Sequence, residues 1–326
     1  MLFACLLHNS FSSKTTPNST LGRLGSSRGY RLVYLFTRCK SKWRVAGKLA
    51  TLQSMYVAID VGGTKTLVCE LDEAGAIVSS KKFKTPKKYD DFLVELQKNV
   101  ADIATKDPQK ACIALPGKID REHGVGTSFG NLDWEHVPAQ VDIERLLHCP
   151  VLVENDANLA GLGEAQFVDD SNKKILYITV STGIGSAYIV NGKLDPGTLD
   201  AEVGHILVEH NGHLRRWEHF ASGSAIVDTF GKRASEIDDP QTWYKIAHNL
   251  ANGMLTTIAM YTPDIIIIGG GVGTHLDKFN DTLIELLKIY ENPMLTIPPI
   301  VKAQHPEEAV IYGCYQLIRQ SYEAIN

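Results

Sequence analysis

The sequence predicts an α/β protein with two related lobes around a shared cleft. Three observations carry that prediction. A strand, a glycine-rich turn and a second strand occupy 56–71, and the same pattern returns at 174–190. Strand-like and helix-like stretches alternate, beginning with three strands, a helix and a strand after residue 55. A third glycine turn, Gly269-Gly270-Gly271, closes the apolar run 265–268 and precedes a helical stretch. Duplication of a hairpin unit implies two lobes that each lend one turn to a common cleft.

Bulk composition fits a folded, two-domain chain. At 326 residues, with 44% hydrophobic and 21% charged side chains, it is ordinary for a globular protein. Its apolar runs are strand-length, well short of the ~20 residues of a membrane-spanning helix, which argues against a membrane partner. Residues 1–54 hold nine Lys and Arg and no acid, so the remaining 272 carry 24 basic against 37 acidic side chains, a net of −13. An acidic body argues against a nucleic-acid partner. Six cysteines stand at 5, 39, 69, 112, 149 and 314 with no Cys-x-x-Cys pair. That scatter argues against a disulfide framework and a cysteine zinc site, and implies a reducing, cytoplasmic setting.

Residues 1–54 read as an N-terminal extension, disordered or outside the native protein, with Met55 as the functional start. Their basic, Ser/Thr-rich composition leaves a transit peptide and organellar import as the alternative. Asn18-Ser19-Thr20 matches a glycosylation acceptor, but no apolar signal region accompanies it. Strands are expected at 56–60, 66–71 and 76–83, a helix over 90–105 and a strand at 111–115. A helix at 141–147 leads to a strand at 151–153, to Glu154-Asn155-Asp156-Ala157-Asn158, and to a small-residue helix at 159–166. The second unit has strands at 174–180 and 186–190, closed by the hairpin signal Asn191-Gly192. Helices at 243–261 and 276–289 flank a strand at 264–268, and a strand at 300–303 precedes a last helix at 306–321. The expected division is a small α/β domain of 55–120 with 306–326, and a large α/β domain of 121–305.

The glycine turns are the candidate ligand sites. Gly62 and Gly63 tolerate positive φ and let backbone N–H groups approach an anion, for which a polyphosphate is the natural guest. Return to strand character after Thr66 separates this strand-turn-strand unit from the strand-turn-helix of Walker and dinucleotide-binding loops. Asp60, Gly62, Gly63, Thr64, Lys65 and Thr66 form the first candidate loop. Thr182, Gly183 and Gly185 form the second, and Gly269, Gly270 and Gly271 the third. Each turn alone is also ordinary glycine punctuation. Asn155-Asp156 equally suits a helix N-cap, and His205 alone suits a hydrogen-bonded core histidine.

In this order and spacing, Asp60-Val-Gly-Gly-Thr-Lys65, Glu154-Asn-Asp-Ala-Asn158, Ser181-Thr-Gly-Ile-Gly185, Glu202-Val-Gly-His205 and Gly269-Gly-Gly271 resemble the ROK (repressor, open reading frame, kinase) family of sugar kinases over nearly all of 55–320. The resemblance implies the actin-like ATPase (ribonuclease H-like) fold and phosphorylation of a hexose or N-acyl hexosamine with ATP and Mg²⁺. It makes Asp156 the catalytic base and assigns the sugar to Gly117, Asn131, Asn155, Asp156, Glu202, His205 and Glu218. Asp60 would orient Mg²⁺ through water, in keeping with the hydration that ion retains. Lys65 would reach phosphate oxygens, although a solvated lysine at a turn is as ordinary.

One departure stands out. Many family members bind structural zinc through three cysteines that follow the Glu-x-Gly-His segment, and residues 206–220 contain no cysteine. Zinc is therefore not expected, the conformation of 206–217 is left open, and the pattern is similar to the family's polyphosphate-using glucokinases. The leading expectation is an ATP-dependent glucokinase-like hexose 6-kinase, in keeping with the family a homodimer. Alternatives within the class are a polyphosphate glucokinase, an N-acylmannosamine kinase and a fructokinase. The alternative from another class is a sugar-sensing transcriptional regulator, which the lack of helical periodicity in residues 1–54 argues against.

Overall fold

The computed structural model describes residues 54–103, 108–130 and 132–323. Expectations for residues 1–53 and for Asn131 lie outside the described residues.

The chain opens with β1 (Tyr56–Val61), β2 (Lys65–Leu71) and β3 (Ile77–Lys84), then α1 (Tyr89–Ile103) and β4 (Lys110–Leu115). The short strands β5 (Lys118–Asp120), β6 (Val125–Ser128) and β7 (Glu135–Val137) precede α2 (Ala139–Leu147), β8 (Val151–Asn155) and α3 (Asp156–Glu164). β1 is buried along nearly its whole length because it lies at the sheet centre, antiparallel to β2 and parallel to β4. β3 alternates half-buried and exposed residues, as an edge strand must, and carries Lys81, Lys82 and Lys84 there.

The second unit comprises β9 (Lys174–Val180), β10 (Ile184–Val190) and β11 (Lys193–Leu194), followed by a hairpin of β12 (Leu207–His210) and β13 (His213–Arg216). Helices α4 (Glu218–Ala221), α5 (Gly223–Phe230) and α6 (Pro240–Tyr261) lead to β14 (Ile265–Gly269), α7 (Gly270–Gly273), α8 (Asn280–Lys288), β15 (Ile300–Lys302) and α9 (Ala309–Glu323).

Two five-stranded sheets result, in orders β3-β2-β1-β4-β8 and β11-β10-β9-β14-β15. In each, the central strand pairs antiparallel with its hairpin partner on one side and is followed by two parallel strands on the other, so the duplication read from two glycine turns extends to whole sheets. Helices α3 and α9 cross closely. A Cβ at Gly313 would lie 1.8 Å from the Leu159 carbonyl oxygen, and one at Gly163 would lie 2.0 Å from that of Ala309. No described helix is long and apolar enough to cross a membrane.

Several expectations are corrected. β8 pairs with β4, so the first sheet takes in residues 151–155 as well. The helix expected over 276–289 is broken: a 3₁₀ turn, Leu276–Lys278, gives way at Phe279, whose ring is buried flat against Trp243. Gly269–Gly271 is the end of β14 running into the one-turn α7, not a separate tight turn. The sheet β5-β6-β7 was not expected, since strands of three or four residues carry too little periodicity. Residues 207–216 form a hairpin through Asn211 and Gly212, both with positive φ (54° and 80°). The Asn-Gly signal that marked Asn191-Gly192 was present there too.

Candidate active site

A cavity of about 390 Å³ opens between the sheets, a volume at the small end for ligand pockets. It gathers Gly117, Asn155, Asp156, Gly183, Gly185, Glu202, His205 and Glu218 from five separate segments, together with Arg121, Asn158 and Asp200. A second space of about 520 Å³ adjoins it, shares Gly183, His205 and Glu218, and adds Thr182, Arg215 and Ser224.

Asp156 stands where β8 gives way to α3. The Asn155 side chain caps that helix, accepting from the Ala157 and Asn158 N–H groups at 2.9 and 3.2 Å, and donates to the Gly117 carbonyl at 2.9 Å. The amide expected to serve a sugar is thus largely committed to the fold, with one N–H left over. Gly117 has φ +115°, and a Cβ there would lie 2.0 Å from the Ser128 carbonyl oxygen. Asp156 accepts from the Ala157 N–H at 2.8 Å, and the residue lines the cavity. Burial pushes its carboxyl up to about 6, against the pull of the backbone N–H groups at the helix start, and the Glu202 charge adds to the rise.

Asp60, at the end of β1, faces Asp156. Burial first and the Asp156 charge second push Asp60 up to about 7, with Lys82 opposing.

The other wall is built around Glu218, whose Oε1 lies 3.1 Å from His205 Nε2. Glycines make room for this carboxylate: a Cβ at Gly183 would lie 2.9 Å from Glu218 Oε2, and one at Gly204 3.3 Å. Trp217 anchors Glu218 to α6, donating its indole N–H to the Asn249 carbonyl at 3.1 Å. Gly253 leaves room for that ring, since a Cβ there would lie 2.1 Å from it.

The three glycine loops differ in what their glycines do. In the first, Gly62 has no positive φ; its N–H donates to the Lys65 carbonyl at 3.0 Å, and a Cβ would lie 2.9 Å from that oxygen. Gly63 shares the ordinary φ, so positive φ is not why either glycine is here. Thr66 is fully buried and bonded to Thr85 at 2.9 Å, while the Thr85 hydroxyl donates to the Gly62 carbonyl at 2.7 Å. Thr66 thus braces the turn from within and is not open to a ligand. Thr64 and Lys65 are exposed, and the Thr64 carbonyl accepts from the Thr85 N–H. In the second loop, Ser181 N–H donates to the Gly183 carbonyl at 2.9 Å, and the Ser181 carbonyl accepts from the Gly223 N–H at 2.6 Å at the start of α5. Thr182 and Gly185 stay at the cleft surface. In the third loop Gly269 is required by Tyr177, whose hydroxyl would lie 2.3 Å from a Cβ. Gly270 takes φ +76° against the Val180 carbonyl, and only Gly271 faces open space. The second and third loops are neighbours through the β9–β14 pairing of Thr179 with Gly269. The first and third loops lie outside the cavity lining.

The sequence reading missed the residues that hold the acceptor side together. Arg121 donates from Nε and Nη2 to both Glu154 oxygens at 2.8 and 2.6 Å, and from Nη1 to Asp200 at 2.7 Å. Glu154 and Asn158 belong to a quoted motif, but a partner 33 residues from Glu154 leaves no local signature.

Two five-stranded sheets of matching order, with a buried carboxylate at a helix start and a glycine turn lining one cavity between them, frame the comparison with known proteins. The chain belongs to the ROK family, whose family model matches residues 56–321. It is 24% identical over 309 residues to a glucokinase of Streptomyces coelicolor, covering 81% of this chain and 97% of that one. Among solved structures it resembles a ROK glucokinase from Streptomyces griseus in complex with glucose and AMPPNP, with a TM-score of 0.70 and 26% identity over 82% of this chain and 100% of that one. It also resembles an inorganic polyphosphate/ATP-glucomannokinase from Arthrobacter, with a TM-score of 0.63 and 28% identity over 82% and 99% of the two chains. The fold is the actin-like ATPase fold of these kinases.

Proposed function

We propose that this protein is a hexose kinase that transfers the terminal phosphoryl group of ATP to the 6-hydroxyl of glucose. The observation that carries this reading is Asp156, a buried carboxylate at the start of α3 that lines one cavity with Glu202, His205, Glu218 and the Ser181–Gly185 turn. Phosphoryl transfer needs a positioned acceptor for a late-moving proton more than a strong base, and a carboxyl near 6 is ionised at neutral pH. Glu202, His205 and Glu218 orient the sugar hydroxyls by charge-assisted hydrogen bonds. The Ser181–Gly185 and Asp60–Thr66 turns hold the phosphates through backbone N–H groups, Thr64, Thr182 and Lys65, and Gly271 leaves room for the rest of the nucleotide.

A divalent cation suits the residues present. The repulsion and burial that lift Asp60 toward 7 are what a cation relieves. Among the described residues no cluster of three or more ligating side chains stands ready, which fits Mg²⁺, an ion that takes one or two carboxylates and completes its shell with water and phosphate oxygens. Asp60 would hold it through water, and when bound it neutralises charge on the phosphates.

The test is a coupled assay over glucose, mannose, fructose and N-acetylmannosamine, with ATP and with polyphosphate. The expected result is glucose-dependent ADP release with the highest kcat/KM of the panel. A higher kcat/KM for another sugar or for polyphosphate would replace glucose or ATP, and no turnover of any hexose would overturn the reading.

A further inference from the structure

Residues 195–202 connect β11 to the segment carrying Glu202 and His205 without belonging to any strand or helix. Internally they are held by turn bonds, Thr198 N–H to the Asp195 carbonyl at 3.1 Å and Ala201 N–H to the Thr198 carbonyl at 3.0 Å. Leu199, Asp200, Ala201 and Glu202 nevertheless line the cavity. Among the described residues, the side chains that bond to Leu199 and Asp200 are Arg121 and Asn158. Arg121 reaches Asp200 at 2.7 Å and the Leu199 carbonyl at 3.3 Å, and Asn158 reaches that carbonyl at 2.9 Å.

The other ends of these contacts are fixed. Glu154 is 4% exposed, and besides Arg121 it accepts from the Asn155 N–H at 2.7 Å and the Asn158 amide at 3.0 Å. One guanidinium thus ties the residue before the Asn155-Asp156 pair, on the first sheet, to the turn two residues before Glu202, which follows the edge strand β11 of the second. Its planar fork makes two parallel bonds to Glu154 and a third to Asp200, a geometry that a lysine cannot reproduce.

We propose that Arg121 is a positioning residue that sets acceptor selectivity, holding the 199–202 turn against the end of β8 so that Glu202 stays at the rim of the cavity. The proposal rests on the cavity being the acceptor site. Arg121 touches no reacting atom; it acts through Glu202, and its loss leaves Asp156 and the phosphate turns in place.

The experiment compares the wild-type chain with Arg121→Met, Arg121→Lys, Asp200→Asn and the double variant Arg121→Met/Glu154→Gln. The double variant removes the buried charge that loss of the guanidinium strands, so that a folding failure of Arg121→Met does not end the test. Two readouts are taken: amide hydrogen exchange without sugar, and KM for glucose and for ATP with the glucose-to-mannose ratio of kcat/KM. In the double variant, exchange at 195–202 is expected to rise about tenfold with β9 and β10 unchanged. Glucose KM is expected to rise about tenfold and the sugar ratio to fall, with ATP KM within about twofold. Arg121→Lys should fall between wild type and Arg121→Met, and Asp200→Asn should raise glucose KM by about threefold because it removes one of the three contacts. Unchanged exchange at 195–202 would overturn the proposal, as would equal rises in glucose and ATP KM. A wild-type chain that phosphorylates no hexose would overturn the functional reading and acceptor selectivity with it, whereas exchange alone still decides whether Arg121 holds the turn.

Discussion

Asp156 and Asp60 illustrate how surroundings, more than residue type, decide what a carboxylate does. With its carboxyl lifted to about 6, Asp156 is protonated and useless as a base below that pH, so kcat/KM should fall about tenfold per unit on the acid side and level off above it. A pH–rate profile from 4.5 to 8 checks this. Asp60 has a consequence for stability. Its folded value of about 7 lies above the ordinary 3.8, so the fold prefers the protonated form. That contribution is complete below about pH 4 and lost as the pH rises through about 7. Asp60→Asn should therefore raise Tm by about 3 °C or more at pH 8 and have little effect near pH 4, while abolishing turnover. Thermal melts at the two pH values separate these outcomes. Asp156, Glu202, His205 and Glu218, which the fold brings to one cavity, could be singled out in the sequence because each lies in a short motif. Arg121 was not, because its pairing with Glu154 and Asp200 exists only after the first sheet and the 199–202 turn meet. Thr66 and Asn155 were legible as site residues, yet both are largely spent on holding the turn and the helix that present the site.

At the scale of elements, the β12–β13 hairpin stands between the Glu202–His205 segment and Glu218 and is closed by its own backbone pairing. His210 stacks on Phe220 with ring centroids 4.2 Å apart, which fixes the hairpin's inner face without a cysteine. Metal analysis of the purified protein should find no stoichiometric zinc, and chelator treatment should leave Tm unchanged; one zinc per chain would contradict that. The α3–α9 crossing is the second element-scale determinant, because α3 carries Asp156 on its first turn. Gly313→Ala places a methyl group against the Leu159 carbonyl and should cost about 1–3 kcal/mol, or more if the helices separate. Denaturant unfolding measures this, with kcat expected to fall alongside. Long periodic stretches such as Pro240–Tyr261 were legible to within a few residues. The three-residue strands β5 and β7 were not, since their formation depends on pairing with β6.

For the molecule as a whole, one repeated sheet explains why two glycine turns recur, each between the same two strands of its sheet. The duplication was legible because a buried strand, a turn and a returning strand are local patterns. The reach of the first sheet through β8 was not, since parallel pairing across α2 is a tertiary choice. In this account the two sheets bring a base, a sugar-binding wall and a phosphate turn together, and the base is the indispensable member. The most direct test is Asp156→Asn, assayed for glucose-dependent ADP release and, separately, for glucose binding by calorimetry. The expected result is a loss of at least about 10³-fold in kcat with glucose affinity within about threefold of wild type. Turnover within about tenfold of wild type would contradict the account, because Asp156 would then not be the group that accepts the hydroxyl proton.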